Sequence, residues 1–329
     1  MDNNVFYGTE KSSTVTYLEF GEIDLERGAK KIWDFRLHQK AYDWLMMGRY
    51  SNDIYTFISL SERLDKVSLN EIVNTYLQEI HHKGELLLSL KKLLALDVCF
   101  GKGDTLSFFE LGQTLFGCIE GMEFCTNLLK CLKVSHPIIN LQQIQWYGTD
   151  ISELFNKMSI LLHQNYKVVT MSNTELLQNR VDVFFSKGIT LLYAVRKYNQ
   201  LYHLLNLGRC AIFDYSFSLE GDQYTTIGSG KTVKYLDYRK FKETLDKGTK
   251  KYFVLKSQSN YNPNTKRIFV DSIYADENIC NEFIANYNNV RSQLKKASLS
   301  FPAINQLFDL ENEETPAWVT LEEFVSAMV

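Results

Sequence analysis

Leu106-Ser107-Phe108-Phe109-Glu110-Leu111-Gly112-Gln113-Thr114 runs from apolar residues into an acid and a glycine, and an amphipathic stretch from Leu115 to Leu132 follows directly. A strand, a turn and a helix in that order make the first βα unit of a mostly parallel sheet. At such a turn the carboxylate can bind a cationic or hydroxyl group, and the glycine allows close approach to the backbone. A competing reading lies just upstream, where Leu96-Asp97-Val98-Cys99-Phe100-Gly101-Lys102-Gly103-Asp104 also resembles a strand ending in a glycine loop. Choosing it would force Leu106 to Leu132 into one helix containing Gly112, Gly117 and Gly121. Each of these glycines costs about 1 kcal/mol against Ala inside a helix. Glu110 and Gly112 are therefore favoured, with Asp97, Gly101 and Gly103 as the alternative first turn.

Downstream, short runs rich in β-branched and aromatic residues alternate with longer amphipathic stretches. Strands are expected at Gln145 to Thr149, Lys167 to Met171, Val181 to Phe185 and Cys210 to Tyr215. Helices are expected at Glu153 to His163, Thr174 to Gln178 and Ile189 to Asn206. Two further extended runs, Tyr252 to Ser257 and Arg267 to Ser272, flank Asn262-Pro263-Asn264 and predict a terminal antiparallel hairpin. Thr320-Leu321-Glu322-Glu323 is a capping box ahead of a last helix. Upstream, Ile32, Phe35, Tyr42, Leu45 and Met46 share one helical face. Ile72, Val73, Tyr76, Leu77 and Ile80 share another, and Leu86 to Leu96 follows as a further helix. The expected organisation is a helical N-terminal region over residues 1–100, an α/β domain over 101–276 and a C-terminal helical extension over 277–329.

In a sheet of this kind ligands bind beyond the carboxyl ends of the strands. After the second strand, Gly148-Thr149-Asp150-Ile151-Ser152 offers a carboxylate suited to the two hydroxyls of a ribose; capping of the next helix is the competing role for Asp150 or Ser152. After the third, Ser172-Asn173-Thr174 offers a side-chain oxygen to an adenine amino group, or an ordinary N-cap. The fourth ends in Phe185-Ser186-Lys187-Gly188-Ile189, a small-residue turn where a reacting group would face the ligand. Asp214-Tyr215, read as the end of the fifth strand, would either orient an acceptor or form a buried strand-end pair.

This succession of turns, together with the terminal hairpin, resembles the class I S-adenosylmethionine-dependent methyltransferases over about residues 105–275. The resemblance implies a mostly parallel Rossmann-like sheet, S-adenosylmethionine as cofactor and methyl transfer to an oxygen or nitrogen of a small-molecule acceptor. Its cofactor-binding set would be Glu110, Gly112, Thr114, Asp150, Ile151, Asn173, Ser186, Lys187 and Gly188. Within that set, Glu110 and Gly112 would contact the methionine portion, Asp150 the ribose and Asn173 the adenine, while Ser186 to Gly188 line the methyl-transfer side. The first turn has one glycine where the family usually has several, and Asp150 lies farther downstream than its customary second acid. The catalytic residues are left unassigned, as is the oligomeric state. An NAD-type oxidoreductase also suits an acidic residue on a ribose, but GxGxxG is missing. A noncatalytic partner protein retaining the fold is the third possibility.

Composition narrows the field further. The chain has 329 residues, 45% of them hydrophobic and 23% charged, with a net charge of −3. Those proportions describe an ordinary globular protein, and the acidic balance gives no concentrated basic patch for nucleic acid. Lys91, Lys92 and Asp97 interrupt the apolar stretch from Leu86 to Phe100, so no membrane span is expected. The N-terminal residues carry neither a basic start nor an apolar core, from which a cytoplasmic location is expected. Six cysteines without a CxxC pair read as core thiols, and no metal site is expected. Gly228-Ser229-Gly230-Lys231-Thr232 resembles the end of a P-loop, but Thr225 stands where that motif needs glycine. The run Trp44 to Tyr50 suggests a lid or plain helix packing, His81 and His82 read as part of a solvated helix face, and His163 and His203 read as structural residues on helices, with a role as bases the alternative.

Overall fold

The computed structural model describes residues 5–9, 16–20, 84–100, 105–111, 115–135, 139–148, 166–170, 180–187, 190–226, 230, 232–296, 308–310 and 315–328. Helix α1, Gly84–Cys99, precedes the parallel strands β3, Leu106–Leu111, β4, Ile144–Gly148, β5, Lys167–Thr170, β6, Val181–Ser186, and β7, Gly208–Ser218. Helix α2, Leu115–Cys131, links β3 to β4. Strands β10, Lys251–Leu255, β11, Asn260–Asn262, and β12, Arg267–Ala275, follow, then helix α6, Glu277–Lys296. The order across the sheet is β5-β4-β3-β6-β7-β12-β10, extended at its end by β13, Trp318–Thr320. Strands β3 to β7 pair in parallel, whereas β12 runs antiparallel to both β7 and β10.

The hairpin is present, but the tight turn through Asn262 joins β11 to β12, and β10 pairs with the far half of the same long strand. Helix α1 excludes the upstream first strand: Leu96 to Cys99 are helical, and the parallel sheet begins at Leu106. Because α1 packs with Phe108, Trp146, Phe185 and Ile212 in one hydrophobic cluster, it belongs to the sheet's own core. No helix among the described residues is long and apolar enough to cross a membrane.

Several local expectations change. Val5–Thr9 (β1) and Thr16–Phe20 (β2) pair as an antiparallel hairpin inside the region read as helical; Val, Phe, Tyr and Thr give both segments strand propensity. The helix expected from Ile189 to Asn206 is two helices, α3, Thr190–Ala194, and α4, Tyr198–Leu205. The Gln200 side-chain oxygen accepts from the backbone N–H groups of Arg196 and Lys197 at 2.8 and 3.0 Å, starting a second helix where the apolar periodicity runs on. Gly228 to Lys231 lie between β8, Gln223–Thr226, and β9, Thr232–Tyr235, which pair antiparallel. A P-loop would require a strand leading into a helix. Helix α5, Tyr238–Leu245, starts on an Asp237 cap.

At the C-terminus, the Thr320 hydroxyl accepts from the Glu323 N–H at 3.2 Å, and the Glu323 carboxylate accepts from the Thr320 N–H at 2.8 Å. This capping box opens α7, Leu321–Met328. Directly before it, β13 pairs with β10, so the segment read as a helical extension also completes the sheet edge. The helices expected within 32–80, 153–163 and 174–178 lie outside the described residues, as do Trp44 to Tyr50, His81, His82 and His163.

Candidate functional site

Parallel strands bring their carboxyl ends to one edge, and the register aligns Gly148, Glu110, Phe185 and Ile212 across β4, β3, β6 and β7. One residue farther on, Leu111, Ser186 and Phe213 form the next row, facing the opposite layer. Gly148 is small for a steric reason: a Cβ there would lie 2.7 Å from Leu115 Cγ, so the missing side chain lets the start of α2 settle over β4.

Glu110 is fully buried and its carboxylate points toward α1, where Lys92 Nζ donates to Oε1 at 3.5 Å. The same ammonium lies 4.3 Å from the centroid of the Phe185 ring. Cys118 of α2 completes the group: burial first, then the Glu110 carboxylate, push its thiol well above the usual range. One residue earlier on α1, Lys91 pairs with both carboxylate oxygens of Asp271 on β12. Asp271 stands directly across from Asp214 of β7. Two buried lysines on one helix thus engage carboxylates on the first and last strands of the α/β unit.

Of the predicted site residues, the structure describes Glu110, Ser186 and Lys187. The Ser186 hydroxyl is buried and has no hydrogen-bond partner among the described residues. Lys187 is half-buried immediately after β6. Gly112, Thr114, Asp150, Ile151, Asn173 and Gly188 lie outside the described residues; in the chain they follow the carboxyl ends of β3, β4, β5 and β6. Asp214 and Tyr215 do not end the fifth strand as expected. Strand β7 continues to Ser218 because Ser216, Phe217 and Ser218 still pair with β12, and Phe217 stacks on Phe241. Tyr215 is buried in the layer opposite Asp214, and burial pushes its phenol up.

Lys91, Lys92 and Asp271 were not singled out from sequence. The available signal was the Leu86 to Phe100 run itself, because a lysine inside a helix buried on every side needs a partner carboxylate.

Five parallel strands in the order β5-β4-β3-β6-β7, with a reversed strand inserted between β7 and β10, decide the architecture. The fold is a Rossmann-like, mostly parallel sheet with one reversed strand, the arrangement that the resemblance to the class I S-adenosylmethionine-dependent methyltransferases implies. No protein-family model and no curated protein matches the sequence. Solved structures similar to this chain include the N-terminal domain of EvdMO1, crystallised in the presence of SAH and D-fucose. It is 13% identical, with 60% of this chain and 85% of that one covered and a TM-score of 0.40. The plantazolicin methyltransferase BamL, in complex with a desmethylPZN analogue and SAH, is 12% identical over 90% and 97% of the two chains, with a TM-score of 0.35. A SAM-dependent methyltransferase from Leishmania major is 10% identical over 83% and 97%, with a TM-score of 0.34.

Proposed function

We propose that this protein is an S-adenosylmethionine-dependent methyltransferase acting on an oxygen or nitrogen of a small-molecule acceptor. The observation that carries the reading is the carboxyl edge of the sheet, where Glu110 stands one residue before the end of the central strand and the buried Ser186 hydroxyl, without a hydrogen-bond partner among the described residues, ends its neighbour. An unsatisfied hydroxyl inside a protein is costly, and a polar ligand seated at this edge would satisfy it. The cofactor therefore suits the residues present.

Glu110, Gly112 and Thr114 would hold the methionine portion. Asp150 and Ile151 would hold the ribose and Asn173 the adenine, with Ser186, Lys187 and Gly188 on the transfer side. When bound, the cofactor supplies an electrophilic methyl group. The chain contributes alignment and exclusion of water, the main resources for an in-line transfer. Residues 1–100 would include the acceptor-covering region, and the reading fits a cytoplasmic enzyme that engages neither nucleic acid nor membrane.

Titration calorimetry of the purified protein tests this. S-adenosylhomocysteine is expected to bind and NAD to give no heat. Binding of NAD without S-adenosylhomocysteine would assign the edge to an oxidoreductase instead.

A further inference from the structure

We propose that Lys92 is the positioning residue of this site, keeping Glu110 ionised at the carboxyl end of β3 so that it serves the cationic, amino-acid end of the cofactor; the inference rests on the methyltransferase reading above. Glu110 has no solvent exposure and the Lys92 side chain has 4%. An isolated carboxylate in such a place takes up a proton, because burial favours its neutral form. A cation 3.5 Å away reverses that preference.

Helices α1 and α2 and strands β4 and β6 pack around Glu110. Helix α1 contributes Lys92, and α2 contributes Cys118, whose thiol burial and Glu110 hold protonated. Gly148 on β4 and Phe185 on β6 flank Glu110 in register and bring no charge. Lys91 is engaged by Asp271 on a different strand. Lys92 thus holds a cation against Glu110 from α1, a helix that precedes the parallel sheet in the chain. Its buried position makes Lys92 a residue that acts through Glu110 and does not itself touch ligand. An ionised Glu110 attracts an ammonium group, and a protonated one gives up the charge-assisted part of that attraction.

The test uses the full chain and two probes. S-adenosylhomocysteine carries the ammonium and carboxylate of the amino-acid end; 5′-methylthioadenosine lacks both and keeps the nucleoside. Lys92→Met is expected to weaken S-adenosylhomocysteine at least tenfold at pH 7, with recovery as pH rises and Glu110 ionises. Its affinity for 5′-methylthioadenosine should stay within about threefold, a difference of roughly 0.65 kcal/mol. In Lys92→Met/Glu110→Gln the pH dependence should vanish. Should Lys92→Met fail to fold, Glu110→Gln is expected to show the same selective loss, independent of pH. Equal weakening of both probes, or a drop in melting temperature with the ratio of affinities unchanged, overturns the role of Lys92 alone. Wild-type protein that binds neither probe overturns the methyltransferase reading and this proposal with it.

Discussion

Lys91→Met is expected to destabilise the α/β core by about 3–5 kcal/mol, the cost of breaking a buried ion pair from one side. The Lys91 side chain is 1% exposed and that of Asp271 11%, and both Asp271 oxygens accept from the ammonium. Methionine retains most of the aliphatic stem, so the loss is electrostatic and not a cavity. What remains is Asp271 directly opposite Asp214 in the β7–β12 register. The attraction the variant removes is of the same size, since opposite unit charges at ~4 Å attract by about 4 kcal/mol at an effective dielectric of ~20. Urea unfolding followed by circular dichroism measures it, and Lys91→Met/Asp271→Leu should recover most of the loss by removing the stranded carboxylate. A single variant within about 0.5 kcal/mol of wild type, or a double variant no more stable than the single, would refute the reasoning.

Two further outcomes follow from local geometry. Gly208→Ala would place a Cβ 2.6 Å from the Cys210 carbonyl oxygen and 2.8 Å from the Phe184 nitrogen, both main-chain atoms, so a loss of at least about 1–3 kcal/mol is expected in the same assay. The Thr320 backbone N–H and hydroxyl hold the Glu323 carboxylate below its ordinary value. A depressed folded value means that this contribution is present above the unfolded value of about 4.3 and lost as pH falls through the folded one. Thermal melts of Glu323→Ala should therefore lie below wild type at pH 7 and converge with it in acid; a constant gap would contradict the capping box as its source.

Local pattern was enough to identify β3 over its upstream rival, because Leu106–Leu111 is a good buried strand and Gly112 is poor inside a helix, whereas Gly117 and Gly121 did not discriminate, since α2 contains both. It also revealed the parallel strands through β7, the turn at Asn262 and the Thr320–Glu323 cap, each of which depends on residues a few positions apart. The break between α3 and α4 escaped because one side-chain amide, Gln200, caps a new helix within an unbroken apolar period. The extent of β7 escaped as well, since Ser216 to Ser218 are strand only through their pairing with β12.

For the candidate site, the sequence determined which residues stand at or follow the strand ends, and Glu110 and Ser186 both lie at the carboxyl edge, on opposite faces of the sheet. Where their side chains go was decided by tertiary structure alone. The insertion of β12 between β7 and β10 sets Asp271 opposite Asp214, and helix α1 then brings Lys91 to a carboxylate 180 residues away in the chain. Periodicity reports which face of an element is apolar, but the partner of a buried charge is fixed by the order in which strands pair. That order is a property of the whole sheet and leaves no local mark in the sequence.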